Sequence, residues 1–212
     1  MRGSGIIPIT RRRPSAGAVK CLCRRLSSGN AIVIPTETQY ALSVAATDPE
    51  AVRLVRCLKG RGTKPFSIFL ADPAALAEWH VQVPLWAAPL MRRFWPGPLT
   101  LILPSDNPMF ALLGAGGSGV GIRVSSEPIV SVLARRLGVP LVATSANPSG
   151  EHLSARRENR WLGSLAQADE ILWARPVSYR RRPASTVIDC TGKRPRLLRD
   201  GAISVKEWRA SL

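Results

Sequence analysis

The stretch from residue 31 to residue 61 constrains this chain more than any other. It opens with the apolar run Ala31-Ile32-Val33-Ile34 and breaks at Pro35. A short β-branched run closed by a proline predicts a buried strand, because Ile and Val suit a pleated surface and Pro cannot continue the ladder. The polar loop Thr36-Glu37-Thr38-Gln39-Tyr40 then sits at the strand's carboxyl end. There an α/β sheet holds a loop rigidly while its hydroxyls and backbone N–H groups stay available to a ligand. A helix follows. Asp48 can cap it, Pro49 fits its first position and Glu50 complements its dipole, while Ala51, Val52, Leu54, Val55 and Leu58 form an apolar face and Gly60 stops it. Lys59 and Arg61 flank that stop and point toward the threonine loop if strand and helix pack side by side. By residue type alone they are equally well two solvated cations.

The remainder repeats this grammar. A first helix is predicted over residues 15–28, with Val19, Leu22, Cys23 and Leu26 inward, and further helices after Asp72-Pro73, over 86–95, over 127–137 and over the basic segment 154–165. Strands are predicted at 67–70, 99–103, 122–124, 140–143, 170–173 and 186–189, with a last one running into Asp200-Gly201; Ser204 and Glu207 form a capping box for a closing helix. Alternating strands and helices predict an α/β fold, a twisted mixed sheet flanked by helices. With 212 residues and 45% hydrophobic content the chain suffices for one large core, so residues 15–212 are expected to form a single domain behind a flexible basic segment, residues 1–14. No apolar run approaches the ~20 residues that span a bilayer, and the amino terminus lacks a secretory core, which implies a soluble cytoplasmic protein without membrane partners. Cys21, Cys23, Cys57 and Cys190 form no C-x-x-C pair and are expected as core thiols rather than metal ligands.

Charge narrows the partners. Thirty Lys+Arg against fourteen Asp+Glu give +16, the footprint of a protein that meets a polyanion such as RNA, with clusters at Arg11, Arg12 and Arg13, at Arg156, Arg157 and Arg160, and at Arg180, Arg181 and Arg182. An arginine-rich proteome yields the same excess without a partner. The glycines between residues 114 and 121 lack a phosphate-loop signature. His80 and His152 are the only histidines and neither adjoins a nucleophile, so a Ser–His triad has no support. A second strand-end loop, Thr144-Ser145-Ala146-Asn147, offers hydroxyls and an amide like the first.

Six motifs stand in order: PTETQYAL (35–42), KGR (59–61), WPGPLT (95–100), TSANPSG (144–150), STVID (185–189) and LLRDG (197–201). Together they resemble the YrdC family of threonylcarbamoyl-AMP synthases over about residues 15–205, at the length of its single-domain members. The resemblance implies a YrdC-like fold and a nucleotidyltransferase that makes threonylcarbamoyl-AMP, pyrophosphate and water from L-threonine, bicarbonate and ATP, with magnesium accompanying the ATP. The product would serve the threonylcarbamoyl-adenosine modification of tRNA, so tRNA and a downstream threonylcarbamoyl transferase machinery are implied partners. By resemblance Thr36, Arg123, Ala143 and Ser185 contact threonine; Lys59, Arg61, Ser145, Asn147, Ser154 and Arg199 face the nucleotide, with Lys59 and Arg61 as the catalytic cations. Such chemistry needs positioning and fixed charge rather than a protein nucleophile, so the missing triad is no objection. The chain departs from the family pattern in a loop shortened after Arg61, in Ala41 for a usual glycine, and in Gly119 for a usual Thr or Ser. The alternatives are a YrdC-like RNA-binding module without adenylate synthesis, or a carbamoyl-adenylate-forming paralogue with another acceptor.

Overall fold

The computed structural model describes residues 5–10, 13–60, 62–114, 119–147, 160, 171–176 and 182–212. Its strands are β1 (Ile6–Ile9), β2 (Ala31–Ile34), β3 (Ala41–Ser43), β4 (Ser67–Phe69), β5 (Leu99–Leu103), β6 (Val120–Arg123), β7 (Leu141–Ser145), β8 (Ile171–Pro176), β9 (Thr186–Asp189) and β10 (Arg196–Arg199). They make one ten-stranded sheet in the order β1-β8-β2-β3-β7-β4-β6-β5-β9-β10. Parallel pairs such as β2 with β8 and β5 with β9 are interspersed with antiparallel pairs such as β2 with β3 and β4 with β7, so the sheet is mixed as the sequence predicts.

The helices start where their caps place them. In α1 (Ala16–Ser27) the Ser15 hydroxyl accepts the Ala18 N–H at 3.2 Å, and in α2 (Pro49–Leu58) Asp48 accepts the N–H groups of Glu50 and Ala51 at 3.0 and 3.1 Å. Then come α3 (Ala75–Glu78), α4 (Ala88–Phe94) and α5 (Pro128–Leu137). The closing helix, Val205–Arg209, carries the expected capping box between Ser204 and Glu207.

Two apolar clusters sandwich the sheet. Ala31 and Val33 of β2 join α2 on one face, while Ile32 and Ile34 join α1 and α5 on the other. A strand covered on both sides reads as a continuous apolar run, which is why Ala31–Ile34 shows no alternation. The second cluster extends to Phe69 of β4 and Leu141 of β7 and, among the described residues, draws nothing from β5, β6, β9 or β10. Beyond β4 the sheet therefore buries alternate residues, Leu101, Ile122 and Ile188, on one side, and on the other side no helix among the described residues covers it. That uncovered half-face positions the site.

Three expectations change. Residues 6–9, assigned to a flexible segment, form an edge strand whose Ile6 and Ile7 register with Trp173 and Ala174 of β8; Pro8 is tolerated because an edge strand has a free side. Cys57, expected in the core, is exposed, since Ala51, Val52 and Val55 face inward and position 57 lies on the opposite side of α2; Cys190 is the buried thiol, and burial pushes its pKa up to about 12. Tyr40, offered as a site hydroxyl, lays its ring edge-on against Trp173 at 5.7 Å, within the core, although the residue also lines the cleft described below.

The turn after β10 tests the packing. A Cβ on Gly201 meets the Ala184 carbonyl oxygen at 2.4 Å and the Thr186 nitrogen at 2.6 Å, whereas one on Gly17 meets nothing within 4 Å. Gly201→Ala is expected to cost about 1–3 kcal/mol through overpacking. Gly17→Ala, in a helix, is expected to gain up to about 0.5–1 kcal/mol. Denaturant unfolding followed by circular dichroism checks both signs.

Candidate active site

The uncovered half-face holds a cleft of about 260 Å³. Its floor is made by side chains two apart along each strand, Ser67 and Phe69 of β4, Thr100 and Ile102 of β5, Ala143 and Ser145 of β7, with Arg123 from β6 and Arg199 from β10. The loop after β2 closes one side with Thr36, Thr38 and Gln39, and the residues before β9 supply Ser185. Thus Thr36, Arg123, Ala143, Ser145, Ser185 and Arg199, scattered through the sequence, line one space.

At one end the threonine loop is knitted around Arg123. The Thr36 hydroxyl donates to the Gln39 carbonyl at 2.6 Å, lies 2.9 Å from the Thr38 hydroxyl, and accepts the N–H groups of Thr38 and Gln39 at 3.1 and 3.2 Å. Arg123 donates from Nη2 to the Thr38 hydroxyl at 3.0 Å and from Nε to the Gly97 carbonyl at 3.2 Å, which ties in the Trp95–Thr100 motif. Its Nη2 also lies 2.9 Å from Glu37 Oε1, and the two side chains are only 7% and 10% exposed. Glu37 Oε2 accepts the Ser125 hydroxyl at 2.5 Å. Burial pushes the Glu37 carboxyl up, but the Arg123 guanidinium and the Ser125 and Arg123 hydrogen bonds outweigh it, so its pKa lies below the ordinary carboxylate value.

The opposite wall is a second polar chain. The Ser185 and Thr100 hydroxyls are 2.8 Å apart, and Arg199 grips Ser185 twice, from Nε to its carbonyl at 2.9 Å and from Nη2 to its hydroxyl at 2.8 Å. Both hydroxyl residues are buried, Thr100 at 4% and Ser185 at 3% exposure. Each has a partner, as buried hydroxyls require.

Lys59 reaches the site from outside the cleft. It is 3% exposed, and Nζ donates to the carbonyls of Ser145 and Asn147 at 2.5 and 2.6 Å. The helix-end cation is therefore no solvated lysine; it braces the strand-end loop that carries Ser145 and Asn147. That loop is joined to the threonine loop, since the Ala146 N–H donates to the Tyr40 carbonyl at 2.8 Å. Arg61, Ser154, the basic segment around it apart from Arg160, and Gly116 and Gly117 lie outside the described residues.

Reasoning from sequence offered the Thr38 hydroxyl with the rest of its loop but passed over Glu37, Thr100 and Ser125. Two carried a signal: Thr100 is the single polar residue in the apolar run 99–103, and Glu37 is a carboxylate beside a buried strand of a strongly basic chain. No group of three or more His, Cys, Asp or Glu that could hold a metal occurs among the described residues. What this arrangement offers is guanidinium and hydroxyl groups fixed around one cleft, with the Lys59 ammonium behind its wall, a donor set suited to an anionic ligand.

The sequence profile of the Sua5/YciO/YrdC domain, described as "Telomere recombination", matches residues 24–201. A threonylcarbamoyl-AMP synthase of Bacillus subtilis is 33% identical over 187 residues, 87% of this chain and 54% of that protein. Another, from Chromobacterium violaceum, is 32% identical over 191 residues, 88% of this chain and 94% of that one. Among solved structures, P. abyssi Sua5 complexed with L-threonine superposes with a TM-score of 0.84 at 30% identity, covering 98% of this chain and 60% of that one. The chain thus spans about half the length of the Bacillus relative and nearly all of the Chromobacterium one.

The depressed Glu37 pKa predicts an acid-side stability loss. The unfolded chain takes up a proton near pH ~4.3 while the folded carboxylate resists it, so the contribution is complete above that pH and disappears as pH falls through the lower folded value. Urea unfolding stepped from pH 6 to pH 3 should show stability falling with pH. Glu37→Gln should flatten that slope, leaving the shallower dependence contributed by the other carboxylates held low, Asp189 and Glu207.

Proposed function

The chain belongs to the Sua5/YciO/YrdC family, and from that premise we propose that it is a threonylcarbamoyl-AMP synthase, a nucleotidyltransferase that forms threonylcarbamoyl-AMP from L-threonine, bicarbonate and ATP. The observation that carries this reading is the single cleft that unites the Arg123 threonine-loop end with the Lys59-braced loop. Threonine's carboxylate pairs with Arg123, and Thr36 and Ser185 hydrogen-bond the same substrate beside Ala143. The amine and bicarbonate condense to a carbamate with loss of water. A carbamate oxygen then attacks the α-phosphorus of ATP and pyrophosphate departs, so atoms balance without a covalent enzyme intermediate.

Negative charge grows on the phosphoryl oxygens in that step, and groups fixed in a dry site stabilise it more than the ground state. Lys59 holds Ser145 and Asn147 where they meet the nucleotide, with Arg61, Ser154 and Arg199 completing the nucleotide side. Magnesium enters as part of the MgATP substrate. Glu37 is taken up by Arg123 and Ser125, and the ion would supply positive charge to the phosphate oxygens it accompanies. No helix among the described residues is long and apolar enough to cross a membrane. The +16 charge supports contact with tRNA, the proposed destination of the threonylcarbamoyl group.

The test is threonine-dependent pyrophosphate release from purified protein with MgATP and bicarbonate. Release that is absent, or equally fast without threonine, refutes the synthase reading and favours an RNA-binding module or another acceptor. Lys59→Ala should lower turnover by about a hundredfold or more, on the order of 2–4 kcal/mol in transition-state stabilisation. Because Lys59 is buried on two carbonyls, the same change should also lower the melting temperature, whereas Arg92→Ala on exposed helix surface should alter neither.

A further inference from the structure

Arg123 alone does not define an amino-acid site, because a guanidinium on a flexible stem can adopt many orientations. Here its fork is held from three directions: Gly97 O on Nε, and Thr38 Oγ1 and Glu37 Oε1 on Nη2. With those two nitrogens committed, Nη1 is the remaining donor toward a ligand. Two of the three holds are soft. A carbonyl in a turn and a hydroxyl rotor fix distance better than direction, whereas the carboxylate supplies charge as well.

Glu37 is itself anchored from elsewhere in the fold. Ser125 Oγ donates to Oε2, and the Ser126 N–H approaches Oε1 at 3.3 Å. Ser125 Oγ in turn accepts the Glu127 N–H at 3.2 Å, at the start of α5. The carboxylate thus ties three elements together: the loop after β2, the guanidinium on β6, and the positive end of α5, where a negative charge is favoured. A carboxylate needed only to neutralise Arg123 would require none of these tethers.

We propose that Glu37 is the positioning residue of the amino-acid end, holding the Arg123 guanidinium from behind so that its remaining edge meets the substrate carboxylate. This rests on the reading that Arg123 takes that carboxylate. Glu37 touches no reacting atom; its effect is on threonine binding rather than on the chemical step. A charge-only view predicts the opposite, since removing a negative group beside Arg123 strengthens its pull on an anionic substrate.

Glu37→Gln keeps the shape and removes the charge. In the full chain, the expected result is a threonine KM raised at least tenfold, with kcat within threefold of wild type and the ATP KM unchanged. Glu37→Asp keeps the charge but is one methylene too short to span Ser125 and Arg123, and should show the same split. Ser125→Ala removes one tether without touching the ion pair, and should raise the threonine KM by a smaller factor; it keeps the inference testable if Glu37→Gln fails to fold. An unchanged or lowered threonine KM in the folded variants overturns the proposal, as does a fall in kcat with KM unchanged. Threonine binding by calorimetry without ATP separates the two readings. Wild-type protein that binds no threonine defeats both, whereas wild-type binding matched by Glu37→Gln defeats only the positioning role.

Discussion

Among the described residues, helices α1 and α5 cover only part of one face of the ten-stranded sheet, and that division organises the molecule. Where they lie, from β1 through β8, β2 and β3 to Leu141 of β7 and Phe69 of β4, both faces of the sheet are apolar. Where they end, one face stays open and its strands must present residues that tolerate both water and partial burial. Thr100, Ser185 and Arg123 occupy those positions, each 6% exposed or less and each hydrogen-bonded to another side chain of the same face. A buried hydroxyl or guanidinium without a partner costs about 1–3 kcal/mol or more. The polar chains Thr36–Thr38–Arg123–Glu37 and Thr100–Ser185–Arg199 therefore satisfy the fold's own demand before any ligand arrives, and the same demand leaves the donors preorganised.

Cations placed this way differ in kind from the rest of the +16 surplus. Exposed pairs such as Arg53 with Glu50, at 64% and 80% exposure, contribute about 0–1 kcal/mol and are screened by salt. The buried Arg123–Glu37 pair is costly to break, about 3–5 kcal/mol when one partner is removed, because the other is left uncompensated. Lys59 is buried and donates to two backbone carbonyls, so its cation is held beside the strand-end loop rather than in solvent.

Local chemistry was legible in the sequence and remote pairing was not. The run Ala31–Ile34, the Asp48-Pro49 start and the Ser204–Glu207 box are decided within a few residues, and the structure has them. The strand order depends on contacts such as Ile6 with Trp173 and Leu101 with Ile188, which no window of periodicity contains. The same holds for the site: Lys59 was singled out by its place at a helix end, but its acceptors lie 86 and 88 residues away. Glu37 was quoted within a motif and given no role, because a carboxylate in a loop reads as solvated until its partners Arg123 and Ser125 are seen.

The departures from the family pattern look different once their surroundings are known. The shortened loop after Arg61 is not slack: Arg56 in α2 donates from Nη1 to the Gly62 and Lys64 carbonyls at 2.6 and 3.1 Å, and its guanidinium lies 4.6 Å from the centre of the Phe66 ring. One arginine thus closes the loop from the helix side and returns the chain to β4, where Ser67 and Phe69 enter the cleft floor. Gly119 is likewise matched to its neighbours, since a Cβ there meets Thr191 Cγ2 at 2.6 Å and the Leu103 carbonyl oxygen at 2.7 Å. Thr191 is fixed in that space by its own hydrogen bonds to Asp189, so a Thr or Ser at 119 could not be housed without moving it. These two departures are accommodated by side chains outside the cleft, whereas the third, Ala41, lines it.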